Sequence, residues 1–243
     1  MIYITHDIDW LNPLHPYSVI KTFTHGKKWI KTSQLFNQNI FIEGIERLLQ
    51  FNRDHHAQSI WLIGATNTHT FQRKGLRYHF DDLKVHQTLS LLKESKVEIG
   101  LHSVSSESIV EQCNKLTNAL GKHIHYHRSH YLNFNPKILY PQLQQVGITT
   151  DFSTGASRDI LLPQQASNIE GVTLTPTILF DNIFFFQTPE KVFEQLKQTL
   201  HAAQLQQRDV AILFHPENFI INPALWEYYE EILQLLKSLY DLR

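Results

Sequence analysis

The stretch Thr5-His6-Asp7-Ile8-Asp9 ends an apolar run at residues 2–5 that has the composition of a buried strand. Two later apolar runs end in the same way, Glu98-Ile99-Gly100-Leu101-His102 and Ile212-Leu213-Phe214-His215. A buried strand does not need a carboxylate or an imidazole at its end. Because α/β folds place their active sites at the carboxyl ends of parallel strands, these endings indicate a functional site. Carboxylates together with nitrogen ligands and acids suit metal-assisted hydrolysis.

Strand-like apolar runs alternate with amphipathic segments along most of the chain. The strand-like runs lie at 2–5, 59–63, 97–101, 124–127, 148–151, 172–174, 183–186 and 210–214. Helical periodicity occurs at 41–54, 82–95, 106–120, 190–206 and 223–240, and Pro136 and Gly147 bracket another helix. This alternation predicts an α/β fold with a parallel sheet covered by helices. About seven such units favour a closed or nearly closed barrel, in a single domain over residues 1–243.

Composition excludes several classes of protein. The chain has 243 residues, 42% of them hydrophobic, which is enough for a core and argues against disorder. A formal net charge of −1 shows none of the excess positive charge that is typical of nucleic-acid-binding proteins. Cys113 is the only cysteine, so an internal disulfide is impossible. The N-terminal residues do not resemble a signal peptide, and no apolar run reaches the ~20 residues of a membrane span. We therefore expect a cytoplasmic protein.

Asp7 and Asp9 are two residues apart at a predicted strand end, so their side chains share a face at a spacing of ~6.6 Å. One could bind a cation while the other acts as a base beside it, although two carboxylates that cap a loop fit the same pattern. Each candidate histidine alone could be an ordinary loop or sheet-edge residue. The coincidence of position favours a site, because six polar residues end predicted strands on one side of the sheet: Asp7, Asp9, His102, Arg128, Asp151 and His215.

Five motifs, in order along nearly the whole chain, resemble those of the polysaccharide deacetylases, the NodB-like carbohydrate esterases. They are the two stretches at 5–9 and 98–102, Arg128-Ser129-His130-Tyr131-Leu132, Asp151-Phe152-Ser153-Thr154 and the stretch at 213–215. The resemblance is strongest to a bacterial subgroup whose first motif reads H-D-x-D and whose second reads E-I-G-L-H. It implies a distorted (β/α) barrel of about seven parallel strands.

The resemblance also implies a role for each matching residue. Asp7 matches the catalytic base, and Asp9 matches the metal-binding aspartate. His102 matches the first metal-binding histidine, and Arg128 matches the arginine that orients the base. His215 matches the general acid. A further residue, Asp151, lies near the fourth motif, which in relatives helps to build the site.

One departure from the family pattern concerns the metal. The family usually has a second metal-binding histidine four residues after the first, and here that position is Ser106. A serine hydroxyl is a poor zinc ligand, and catalytic zinc normally has three protein ligands. A replacement histidine (His130 or His6), a water molecule in a weakened site, or loss of the metal would each account for the change. We favour a divalent cation, zinc, held by Asp9, His102 and His130.

These residues predict a metal-dependent hydrolase that removes an N-acyl group, such as acetyl, from an amino sugar. The expected substrate is a carbohydrate precursor of a surface polysaccharide. The alternative is a non-catalytic carbohydrate-binding relative with a degraded metal site, which Ser106 would explain. Glycoside cleavage by Asp7 and Asp9 ranks last, because neighbours on one strand end cannot easily flank a glycosidic bond from opposite sides.

Overall fold

Strands and helices alternate along the computed structural model, which describes residues 1–13, 37–66, 76–104, 108–132, 134–156, 158–163 and 168–239. The strands are β1 (Ile2–Ile8), β2 (Ser59–Ile63), β3 (Glu98–Ser103), β4 (Tyr126–Ser129), β5 (Thr150–Asp151), β6 (Asn168–Ile169), β7 (Val172–Leu174), β8 (Thr177–Phe180) and β9 (Val210–Phe214). The α-helices of these residues are α1 (Ile40–Asp54), α2 (Leu83–Glu94), α3 (Ile109–Leu120), α4 (Pro136–Gln145), α5 (Pro189–Leu205), α6 (Pro216–Ile221) and α7 (Leu225–Leu239).

The nine strands form one curled sheet in the order β6-β7-β5-β4-β3-β2-β1-β9-β8. Every pair is parallel except β6 with β7, which form a short hairpin at one edge. A parallel bridge between Gly155 and Thr177 links the chain beyond β5 to β8. Only glycine fits there, because a Cβ on Gly155 would lie 2.2 Å from the Thr177 carbonyl oxygen. The sheet is therefore a half-barrel whose flanks approach each other at this bridge.

This architecture confirms the predicted α/β fold, and the half-barrel is consistent with the expected distorted (β/α) barrel, although the sheet is less closed than predicted. The sheet has nine strands rather than about seven, because β6 and β8 were not predicted from the sequence. The expected strand at 183–186 is wrong, since Asp181–Phe185 forms a 3-10 helix. Its apolar residues pack against helices instead of pairing in the sheet, as Phe184 does against Tyr228 with ring centroids 4.9 Å apart.

Both faces of the sheet are buried, which explains why its strands are almost continuously apolar. On β2, Trp61 and Ile63 face the large core formed with the helices. Ile60 and Leu62 face a smaller cluster inside the curl, which also contains Phe152. No helix in the described ranges is both long and apolar enough to cross a bilayer.

The helix ends follow their sequence signals. Gly121 ends α3 in a left-handed conformation at φ 68°. Pro136 occupies the first turn of α4, and the Asn135 side chain accepts a hydrogen bond from Lys137 N at 3.1 Å. Gly147 follows α4 with φ 76°, as predicted. These short connections return the chain to the sheet and bring the strand ends to one side.

Candidate active site

Three candidate metal ligands meet at the carboxyl ends of β1, β3 and β4. Asp9 follows β1, His102 lies on β3, and His130 opens the turn after β4. His102 Nε2 lies 2.8 Å from His130 Nδ1 and 3.2 Å from Asp9 Oδ1. His130 Nδ1 lies 3.5 Å from the same carboxylate oxygen. The sequence-predicted trio therefore presents three ligand atoms that all lie within 4.8 Å of one another.

The spacing of these atoms fits a tetrahedral ion. Ligand atoms 2.0–2.1 Å from tetrahedral zinc are about 3.3 Å apart. His102 Nδ1 lies 3.1 Å from the Arg128 carbonyl, so it donates there and leaves the Nε2 lone pair for a cation. Asp9 Oδ1 is buried and has no conventional hydrogen-bond partner among the described residues. Converging lone pairs and an orphaned carboxylate oxygen are what a cation would satisfy.

The electrostatics of Asp9 and His130 agree with this reading, whereas His102 would bind a cation at the expense of a proton. Burial opposes ionisation of Asp9, but the neighbouring His130 and His102 hold its pKa well below the ordinary value. Burial lowers the pKa of His130 to about 4, so this imidazole is neutral at physiological pH and available as a ligand. Burial also acts against charge on His102, but the carboxylates of Asp7 and Asp9 outweigh it and raise the His102 pKa.

The candidate base, Asp7, is held by a buried arginine. Arg128 Nη1 donates to Asp7 Oδ1 at 2.8 Å and to Thr5 Oγ1 at 3.0 Å. The other donors of the guanidinium reach Thr177 Oγ1 at 2.8 Å and the Phe152 carbonyl at 3.2 Å. Arg128 is 1% exposed, so its position is fixed by four partners from three parts of the half-barrel. The Asp7 carboxylate is correspondingly oriented toward the pocket.

The candidate acid, His215, is paired with a carboxylate that the sequence analysis missed. His215 Nδ1 lies 2.7 Å from Asp181 Oδ1, and the His215 amide donates to Asp181 Oδ2 at 2.7 Å. Asn218 Nδ2 donates to the same oxygen at 3.0 Å. Burial opposes a charged His215, but Asp181 raises its pKa well above the ordinary value. His215 Nε2 faces the candidate metal ligands, 3.9 Å from Asp9 Oδ2.

Asp181 has the same sequence feature as the site residues that were predicted, namely a position at the end of an apolar strand. It directly follows β8, an apolar strand, as Asp9 and His215 follow β1 and β9. The surrounding sequence from 152 to 188 lacks the helix–strand alternation of the rest of the chain. For this reason β8 was not predicted from the sequence.

Two other predicted residues do not enter the pocket. Asp151 is buried on the opposite face of the sheet, where it contacts His127 and Tyr140 at 2.7 and 3.3 Å. His6, the other candidate replacement ligand, is buried against Asn52 Nδ2 at 3.1 Å and the Phe214 carbonyl at 3.2 Å. Burial lowers the His6 pKa to about 3. His130, not His6, therefore joins His102. Ser106 lies outside the described residues.

The site lies in a cavity of about 590 Å³, within the size range of small-molecule sites. Its lining combines the polar residues above with aromatic and aliphatic side chains, including Trp10, Tyr131 and Phe186. Tyr131 and the following Leu132 adopt positive φ angles of 54° and 52°, which bulky residues rarely do. Such strain is typical of functional sites, and here it directly follows the candidate ligand His130.

Solved structures provide a match, whereas no protein-family model and no curated protein matches this chain. A candidate polysaccharide deacetylase from Mycobacterium smegmatis matches with a TM-score of 0.59 at 16% identity, over 96% of this chain and 83% of that protein. This chain has the fold of the polysaccharide deacetylases. Its strand-end site lies where such a fold would place its chemistry.

A CE4 family pseudoenzyme from Bacillus anthracis also matches, with a TM-score of 0.50 at 10% identity, over 95% of this chain and 61% of that protein. A mutant of that pseudoenzyme with restored enzymatic activity matches with a TM-score of 0.50 at 11% identity, over 95% of this chain and 63% of that protein. Because this fold is shared by a pseudoenzyme, activity has to be argued from the side chains of the site.

Proposed function

We propose that this chain is a polysaccharide deacetylase and acts as a metal-dependent hydrolase that removes an N-acyl group, such as acetyl, from an amino sugar. One observation carries the proposal: a metal-ligand trio, an arginine-bound carboxylate and a carboxylate-bound imidazole line a single pocket. Together these supply a cation site, a base and an acid, which amide hydrolysis requires.

Asp9, His102 and His130 would hold the cation. Two imidazoles with one carboxylate are a common catalytic zinc set, so we favour zinc. The ion would polarise the acyl carbonyl and make a bound water more acidic. His130 would take the place of the histidine that the family pattern has at Ser106.

Asp7 takes a proton from the water that attacks the acyl carbon. Its Oδ1 is occupied by Arg128 at 2.8 Å, which leaves Oδ2 as the proton acceptor. Because Arg128 is buried and held by several partners, Asp7 is presented in one orientation. The arginine is therefore proposed as a positioning residue.

His215 gives a proton to the nitrogen as the C–N bond breaks, and the products are a carboxylate and a free amino sugar. Asp181 keeps the imidazolium available and fixes its orientation through Nδ1. The proton to be donated then resides on Nε2, the nitrogen that faces the pocket. Both halves of the acid–base pair are thus held by a buried partner of opposite charge.

The decisive experiment combines metal content with product release. Chelator-stripped protein should take up one equivalent of zinc and then release acetate from an N-acetylated amino sugar. His130→Ala should abolish zinc uptake, whereas His125→Ala, an exposed histidine outside the pocket, should leave it unchanged. A non-catalytic carbohydrate-binding protein would instead bind only a small fraction of an equivalent and release no acetate, and that result would refute the proposal.

A further inference from the structure

Arg158 lies at the mouth of the pocket with its charge unmatched. Its guanidinium carbon lies 5.1 Å from the ring centroid of Phe186, which is 66% exposed. The guanidinium makes no ion pair with any residue in the described ranges. The Arg158 main chain is tied down, since Gln187 Nε2 donates to its carbonyl at 3.0 Å. An arginine supported by an aromatic face in this way is prepared to bind an anion.

The other charges of the pocket favour an anion as well. Arg128 and Asp7 neutralise each other at 2.8 Å, and Asp9 would face the bound cation. His215 is paired with Asp181, and the other charged side chains of the lining are Glu217, Arg77 and Arg158. Once a divalent ion is bound, the charges of the ion and of Arg158 together exceed those of Asp9 and Glu217, so the cavity is net positive without counting Arg77. A concave, partly desolvated site concentrates this field on its ligand.

The walls of the mouth suit a sugar ring. Tyr131 and Phe186 both line the pocket and are 57% and 66% exposed. Aromatic side chains offer flat apolar surface next to polar groups, which matches the C–H face and hydroxyl rim of a pyranose. The cavity of about 590 Å³ suits a small saccharide.

We propose that the substrate is an N-acylated amino sugar that also carries an anionic group, a phosphate or a carboxylate, and that Arg158 binds that group. The inference rests on the proposed function, because the anion preference assumes a divalent ion on Asp9. Arg158 then determines specificity at the mouth, while the reacting amide lies deeper, between Asp7 and His215.

The test compares substrates that differ only in charge. Zinc-loaded full-length protein is assayed with N-acetylglucosamine, its 1-phosphate and the corresponding uronic acid. We expect a higher kcat/KM for at least one anionic sugar, and the two anionic arms identify the group. Arg158→Gln should raise KM for that sugar by about tenfold with little change in kcat, and should not affect the neutral sugar. Arg53→Gln, an exposed arginine outside the pocket, is the matched control.

Equal kcat/KM for neutral and anionic sugars, or an equal effect of Arg158→Gln on all three, would overturn the inference and leave the proposed function intact. If no sugar is hydrolysed, the proposed function fails, and the inference about Arg158 is tested by sugar binding instead. Calorimetry on the zinc-loaded protein should then show tighter binding of an anionic sugar that Arg158→Gln abolishes. Indifference to charge in that assay would also overturn the inference.

Discussion

His127 Nδ1 lies 2.7 Å from Asp151 Oδ1, on the face of the sheet opposite to the candidate metal ligands. Ser103 Oγ donates to His127 Nε2 at 2.8 Å, and Ser153 Oγ donates to Asp151 Oδ1 at 2.6 Å. All four side chains are nearly inaccessible, so they form a buried polar network across β3, β4 and β5. Ser103 directly follows the candidate ligand His102, so the network is linked to the candidate site through the backbone.

We expect Asp151→Ala to weaken zinc binding although Asp151 touches no ligand. The change would leave His127 and Ser153 without their buried partner, at a cost of about 1–3 kcal/mol in the free energy of unfolding. Loosening β3 against β4 would also separate His102 from His130. Supporting groups of this kind typically change metal affinity by about 10–100-fold, and we expect the lower end. Competition with a chromophoric chelator measures the dissociation constant.

Tyr140→Phe is the matched control for this network. It removes only the longer contact to Asp151, at 3.3 Å, and keeps the His127 pair. Zinc affinity should then stay close to that of the unmodified protein. If Asp151→Ala lowered stability but left the zinc dissociation constant unchanged, the network would have no positioning role.

Asp7→Asn should nearly abolish turnover without removing the metal. The amide keeps the shape of the side chain but cannot accept the proton of the attacking water, and loss of a general base costs about 10²–10⁴-fold in kcat. Zinc content, measured by elemental analysis, should stay at one equivalent because Asp9, His102 and His130 are untouched. Asp54→Asn, at an exposed carboxylate on α1, should behave like the unmodified protein. Substantial residual turnover in Asp7→Asn would exclude Asp7 as the base.

The rule that polar residues at the carboxyl ends of parallel strands form the site works where the strand is long enough to fix which way its side chains point. β1 has seven residues and β3 has six, and both bring the expected residues into the pocket. β5 has only two residues, and a shift of one position reverses the face on which a side chain lies. Asp151 therefore faces the helices, whereas its neighbour Phe152 faces the inside of the curl.

Contacts between distant parts of the chain were beyond sequence reasoning. The sequence analysis favoured His130 as the third metal ligand, but the turn after β4 that brings it beside His102 is not specified by any local pattern. Likewise, the pairing of Asp181 with His215 joins residues 34 positions apart. By contrast, the role of Gly100 could be predicted, because a glycine within an apolar strand indicates close backbone approach.

Gly100→Ala should destabilise the protein strongly. A Cβ at this position would lie 2.6 Å from the Tyr126 carbonyl oxygen and 2.5 Å from Leu62 Cδ2. The carbonyl belongs to the neighbouring strand and cannot move without disturbing the β3–β4 ladder, so we expect a loss of about 3 kcal/mol in urea unfolding. Gly44→Ala in α1 is the control, since the nearest atom to its Cβ would be the flexible end of Ile220, at 3.0 Å, and the nearest backbone atom, the Pro216 carbonyl oxygen, lies at an ordinary contact distance of 3.9 Å. Equal stability of the two variants would contradict this account of β3.

Asp181→Asn should shift the basic limb of the pH–rate profile to lower pH. Burial disfavours the charged form of His215, and the Asp181 carboxylate reverses that effect and raises its pKa. A general acid is active below its pKa, so the rate falls as pH rises through that value. Removing the carboxylate charge lowers the pKa and therefore moves this fall to more acidic pH. Asn218→Ala removes one hydrogen bond to Asp181 but keeps its charge, so its limb should move much less. If the basic limb of the profile did not move in Asp181→Asn, the limb would report the ionisation of a group other than His215.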